Sequence, residues 1–213
     1  MKVTEYFEQA KDQTLVSFEV LPPLKGGRMQ DIFAALDPLM EFKPPFIDVT
    51  TSREEHVYLK KEGGLLERKV TRMRPGTVGI CAAIMNKYQV EAVPHLICGG
   101  FTKEETEDAL FSLYYLGIEN VLIIKGDEIG KSEYHIKDRV NRNIYAVDLV
   151  DQVHKMNKGQ FLHEETISDF HTNFCASSFE YSQSSPNFHF AVALVFISKL
   201  ESMSNTCMSH MLA

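Results

Sequence analysis

Four β-prone apolar runs alternate with four stretches of helical periodicity, and this alternation restricts what the chain can fold into more than any other feature. Leu15-Val16-Ser17-Phe18-Glu19-Val20 reads as a first strand stopped by Pro22-Pro23. Ile32, Phe33, Leu36, Leu39 and Met40 then recur at helical spacing up to Pro44-Pro45, before Phe46-Ile47-Asp48-Val49-Thr50-Thr51, a second strand. A charged segment, 52–74, follows, and 54–74 within it is expected to be a variable loop with part of a helix. Residues 77–88 fit either strand or helix; Ala82, Ala83, Met85 and Lys87 favour helix, with a third strand directly after it at 90–97. Thr102 and Glu105 form a capping box that opens a helix ended by Gly117. Asn120-Val121-Leu122-Ile123-Ile124 suits a parallel strand buried on both faces. A last helix carries Ala146, Leu149, Val150 and Val153 on one stripe, with Gly159 past its end.

Without a Gly-x-Gly-x-x-Gly turn after the first strand, this rhythm fits a (β/α)8 barrel somewhat better than a dinucleotide-binding Rossmann sheet, and periodicity alone leaves both open. A barrel read this way is incomplete, with about its first four to five βα units, because closure needs eight strands. The composition breaks near Cys175. Of 51 charged residues, 48 precede Ala176; the 38 residues from there on hold only Glu180, Lys199 and Glu201, with nine serines. The expected division is a partial barrel over 1–175 and a tail over 176–213 that is not an independent domain. The tail's apolar run at 188–197 is expected to lie against the inner face as a partial plug.

A net charge of −7 argues against a sequence-independent grip on nucleic acid. No segment has the roughly 20 consecutive apolar residues of a membrane span, and the start lacks a signal-peptide pattern, so a cytoplasmic location is expected. Cys81, Cys98, Cys175 and Cys207 form no C-x-x-C pair, which leaves buried reduced thiols as the plain reading and indicates no metal site.

Chemistry in such an architecture is expected at the carboxyl ends of the strands. Glu19 nearly ends the first strand inside an apolar run, where an ionised carboxylate is costly and a proton-holding acid is favoured; a carboxylate satisfied by a neighbouring cation is the equal alternative. Thr50 and Thr51 end the second strand, where threonine more often caps the next segment. His95 sits in an apolar strand, where a hydrogen-bonded core histidine is commoner than a ligand. Lys125-Gly126-Asp127 comes directly after the fourth strand, and glycine at such a corner lets a ligand approach the backbone.

Taken in order, these motifs resemble one family. Ser17-Phe18-Glu19-Val20-Leu21-Pro22-Pro23 is similar to the S-F-E-[FV]-x-P-P opening of methylenetetrahydrofolate reductases. Asp48-Val49-Thr50 resembles its V-x-V-T strand end, Glu91-Ala92-Val93-Pro94-His95-Leu96-Ile97-Cys98 its E-x-x-P-H-L-x-C, Ile124-Lys125-Gly126-Asp127 its L-R-G-D, and Tyr145-Ala146-Val147-Asp148-Leu149-Val150 its Y-A-x-D-L-V. The resemblance implies a flavoprotein of one-carbon and methionine metabolism, with FAD as cofactor and NAD(P)H as co-substrate. It would reduce 5,10-methylenetetrahydrofolate to 5-methyltetrahydrofolate in a ping-pong scheme, with the folate as its partner and a homo-oligomer as an open question. It implies Glu19 as the acid that protonates the folate nitrogen. It also implies that Asp127 would stand beside the flavin and act on its electrostatics. The FAD contacts implied are Thr50, His95, Ile124, Lys125, Gly126, Asp127, Tyr145 and Ala146.

Two departures accompany the resemblance. Lys125 replaces the family's arginine, which loses a planar two-pronged contact but keeps the backbone one. After Phe174-Cys175 the chain has neither the family's G-Y-P-E-x-H motif nor its two substrate glutamines. The alternative to a reductase is therefore an inactive fragment, or a flavin-binding or regulatory module that associates with a complete homologue.

Overall fold

The computed structural model describes residues 1–11, 13–52, 55–71, 73–98, 101–126, 141–163, 170–178 and 190–195. Helix α1 (Val3–Ala10) leads into strand β1 (Leu15–Val20), helix α2 (Met29–Leu36) with a 3-10 turn (Asp37–Phe42), and β2 (Phe46–Val49). An antiparallel hairpin, β3 (Glu55–Lys60) with β4 (Leu66–Thr71), stands before α3 (Thr77–Tyr88). The remaining elements are β5 (Glu91–Ile97), α4 (Lys103–Tyr115), β6 (Asn120–Ile124), α5 (Ala146–Asn157), β7 (Cys175–Ser178) and β8 (Phe190–Val195).

The main sheet runs β7-β6-β5-β2-β1-β8, and every pair in it is parallel. From β1 to β7 the spatial order matches chain order once the hairpin is set aside. Residues from α2, α3, α4 and α5 (Leu36, Ile84, Leu110, Leu149) share one buried cluster with Val20, Ile47, Val49, Ala92, Val121 and Ile123 of the strands. Helices on one face of a sequentially ordered parallel sheet build a (β/α) barrel wall, whereas a doubly wound sheet reverses its strand order and covers both faces. The alternative left open by periodicity is resolved toward the partial barrel. The sheet is not closed; β7 and β8 form its two edges among the described residues.

Local chemistry accounts for the helix ends. Thr102 Oγ1 accepts from the Glu105 amide at 3.1 Å while Glu105 accepts from the Thr102 amide at 2.8 Å, the reciprocal box that satisfies two otherwise unpaired donors. Gly159, beyond α5, has φ +74°, and a Cβ there would meet the Phe170 carbonyl oxygen at 2.7 Å. Only glycine fits that crossing.

The opposite face is apolar at its amino end. Val3 of α1 is buried with Phe46 and Val93, alongside Tyr6, Phe7 and Leu122. The Val3 amide donates to Asn120 Oδ1 at 2.8 Å, which fixes α1 at the start of β6. Alternation along the strands puts Ser17, Glu19, Asp48 and His95 on this same face, with Asp48 and His95 each two residues beyond Phe46 and Val93 on their strands.

Two expectations are corrected. Within 54–74 the residues 55–71 form a hairpin and not a loop with helix: Gly63 and Gly64, at φ +81° and +77°, make the turn, and the alternating residues on either side pair as strands. The hairpin's base is tied to the first βα loop by Lys25 N donating to Met73 O at 2.8 Å and by the Arg74 guanidinium donating to Pro22 O. The tail segment Phe190–Val195 does not plug the inner face. It extends the sheet as an edge strand, with Leu15↔Phe190 through Val20↔Val195 in register. An unpaired β1 edge offers a row of backbone donors and acceptors, and an apolar extended run satisfies them better in the ladder than across a sheet face.

Candidate active site

The diproline after Leu21 ends β1 so that Glu19 stands one residue before the strand's end, level with Asp48 of β2. Thr50 continues the ladder, its amide donating to Val20 O at 3.0 Å, and its hydroxyl donates to Glu19 Oε1 at 2.5 Å. His95 enters from β5. Its Nδ1 is 3.7 Å from Glu19 Oε1, and its Nε2 is 3.6 Å from Asp48 Oδ1. Ser17 Oγ donates to Asp48 Oδ2 at 3.1 Å, and Thr51 Oγ1 donates to the His95 carbonyl. The side chains of His95 and Asp48 are 6% and 7% exposed and that of Glu19 17%, so the carboxyl facing the carboxyl end of the sheet keeps the most access to a ligand. One imidazole thus lies within 4 Å of two carboxyl groups that come from neighbouring strands.

A second group lies beside the first, on β6 and α5. Ile124 ends β6 opposite Ile97, and Lys125 and Gly126 come next. Gly126 has φ +75° and keeps this corner free of a side chain beside Ile97. Lys125 Nζ lies 5.9 Å from the ring centroid of Tyr145, the residue preceding α5. Asp148 accepts from the amides of Ile144 and Tyr145 at 3.1 and 2.9 Å, which holds Tyr145 and Ala146 at the helix mouth. Ile144, Tyr145 and Val147 are exposed there. Cys98, at the rim of β5, is a neutral thiol: burial and then the Asp148 charge push it up to about 11. Asp127 lies outside the described residues.

A cleft of about 310 Å³ adjoins the site, between the ends of β2 and β5 and the first turns of α3 and α4, lined among others by Thr51, Arg74, Thr77, Leu96, Phe101 and Glu105. The structure thus brings Glu19, Thr50 and His95 together, and places Ile124, Lys125, Gly126, Tyr145 and Ala146 on the neighbouring strand end and helix. Sequence reasoning missed Asp48 and Ser17 as members of the cluster. The signal available was a charged residue inside a strand buried along its whole length.

Ionisable side chains gathered at the carboxyl ends of a parallel (β/α) sheet define the front half of a barrel-type enzyme scaffold. The sequence profile of methylenetetrahydrofolate reductase matches residues 3–171. A probable methylenetetrahydrofolate reductase (NADH) of Oryza sativa subsp. japonica is 29% identical over 133 residues, covering 60% of this chain and 19% of the rice protein. The 5,10-methylenetetrahydrofolate reductase of Escherichia coli (strain K12) is 28% identical over 135 residues, 62% of this chain and 40% of its own. Methylenetetrahydrofolate reductase 1 of Schizosaccharomyces pombe is 24% identical over 152 residues, 71% and 22% respectively. The chain belongs to the methylenetetrahydrofolate reductase family, a family of oxidoreductases. It spans about two fifths of the bacterial relative's length and about one fifth of the plant and yeast ones.

Proposed function

We propose that this chain carries the front half of the site that reduces 5,10-methylenetetrahydrofolate to 5-methyltetrahydrofolate with FAD and NAD(P)H, acting in the cytoplasm in one-carbon and methionine metabolism. The observation that carries the reading is the Glu19 carboxyl at the strand ends, held by Thr50 at 2.5 Å and faced by His95. Glu19 is the proton donor to the folate nitrogen as the methylene bridge opens, and Thr50 fixes the rotamer from which it donates. The name of the rice relative carries NADH, which makes NADH the first nicotinamide to try.

The residues present fit a flavin. The side-chain-free corner at Gly126 admits a close approach, and exposed Ile144, Tyr145 and Val147 offer apolar cover at the same end of the sheet. Thr50, His95, Ile124, Lys125, Gly126, Tyr145 and Ala146 would hold it, with Asp127 completing the set. When bound, FAD supplies the hydride carrier between nicotinamide and the folate's methylene carbon. The protein's own part is to orient the ring, exclude water along the apolar rim and hold the Glu19 proton.

The test uses a chain completed with a family-like second half. Glu19→Gln should abolish folate reduction and leave nicotinamide-dependent flavin reduction largely intact, read by stopped-flow absorbance. Equal loss of both half-reactions refutes the role given to Glu19. A second reading is a flavin-binding or regulatory module that pairs with a complete homologue, for which β7, a sheet edge among the described residues, offers a pairing strand. Flavin retained on purification, without folate reduction and with a stable hetero-oligomer, selects that reading.

A further inference from the structure

The ring of His95 carries a buried nitrogen, Nε2, without a hydrogen-bond partner, and it points at a carboxylate. Asp48 Oδ1 is 3.6 Å away, just beyond hydrogen-bond distance, while the other oxygen of Asp48 already accepts from Ser17. On the other side of the ring Nδ1 faces Glu19 Oε1 at 3.7 Å, and that oxygen accepts from Thr50. The imidazole therefore stands between two acids from two adjacent strands, one anchored by a serine and one by a threonine.

We propose that Asp48 is a positioning residue: it accepts from the Nε2–H of His95, turns Nδ1 toward Glu19, and so makes Glu19 and His95 share one proton. The inference rests on the reading of Glu19 as the acid. Charge and valence lead to it. A neutral ring with its proton on Nδ1 would aim the Nε2 lone pair at the Asp48 carboxylate, a repulsive arrangement in a buried site. With the proton on Nε2, that nitrogen donates to Asp48, and Nδ1 offers a lone pair that is satisfied when Glu19 is the protonated carboxyl. If the ring is an imidazolium, it donates to both acids and Glu19 is the carboxylate. In either state one proton lies between Nδ1 and Oε1, and it is the one the Glu19–His95 pair delivers through Glu19. Ser17 holds the far oxygen of Asp48, so the near one keeps its direction. An orienting carboxylate of this kind sets tautomer and aim without touching substrate.

The tautomer can be read directly. Long-range proton–nitrogen spectra of the full 213-residue chain, labelled with nitrogen-15, separate protonated from bare ring nitrogens, and His95 is assigned by the signal lost in His95→Gln. The expected wild-type spectrum has Nε2 protonated. In Asp48→Asn the amide offers an N–H to Nε2, so the proton should leave Nε2 and appear on Nδ1; Asp48→Glu should restore the wild-type pattern at least in part. A bare Nε2 in the wild type overturns the proposal, and so does an unchanged tautomer in a folded Asp48→Asn chain. Should Asp48→Asn not fold, the wild-type spectrum alone decides. Neither measurement needs folate or flavin. A chain with the expected tautomer but no folate reduction refutes only the enzymatic reading, and an active enzyme with a bare Nε2 refutes only this one.

Discussion

Thr50 reaches across from the end of β2 to donate its hydroxyl proton to Glu19 Oε1 at 2.5 Å, so the acid's conformation is set by the neighbouring strand and not by its own. Thr50→Val keeps shape and volume and removes that donor. A hydrogen bond to a carboxyl group contributes about 1–2 kcal/mol, and urea denaturation should show a loss of that size. An unchanged midpoint would mean that water replaces the hydroxyl at no cost.

Burial also governs the chain's cysteine chemistry. The Cys98 thiol, raised by burial and by Asp148 from 9.0 to about 11, is neutral at physiological pH and a poor nucleophile. Its alkylation in the native chain should be far slower than in urea. The raised value also has a thermodynamic effect. The stability it reflects is intact below about pH 9, because folded and unfolded thiols are both protonated there, and it is lost between about pH 9 and about 11 as the unfolded thiol ionises first. A Cys98→Ala chain should show less alkaline destabilisation across that window than the wild type in denaturant titrations.

The core and the hairpin should respond oppositely to the same deletion. Leu110 is fully buried in the shared helix and strand cluster, and Leu110→Ala should cost about 2–5 kcal/mol. Leu65, at the hairpin turn, is 70% exposed, and Leu65→Ala should stay within about 0.5 kcal/mol. Thermal or urea melts of the two variants make the comparison, and a large loss at Leu65 would reveal that the hairpin packs in solution against something.

Pairing between β8 and β1 predicts a pattern of amide exchange. A chain ending after Ser178 should lose protection along Leu15–Val20, which becomes an edge, and keep it along Glu91–Ile97 and Asn120–Ile124, which stay interior. Equal protection of β1 with and without the tail would show that the ladder beyond β1 contributes nothing.

The βα rhythm is legible in the sequence because its signals are local. The Thr102 and Glu105 box, the prolines after Leu21 and the apolar run at Asn120–Ile124 each act within a few residues. The hairpin is harder to read, because its charge density suggests a solvated helix and Gly63-Gly64 is the one local signal of a turn. No local pattern says which strand a segment will join, and so the partner of Phe190–Val195 is out of reach. At the site, Glu19, Thr50 and His95 are visible as polar residues in apolar runs, and their sides of the strands come from alternation. Asp48 is likewise a charged residue in an apolar run, but its meaning appears only when register sets β2 beside β5 and brings an imidazole against it.

Strand β8, which pairs with β1, lies beyond the residues that match the family, which end at 171. Main-chain hydrogen bonds do not depend on side-chain identity, so this pairing accepts any short apolar extended segment, whatever its ancestry. With β8 in this place, the backbone groups on the outer side of β1 are taken up within the chain and are shielded from other copies.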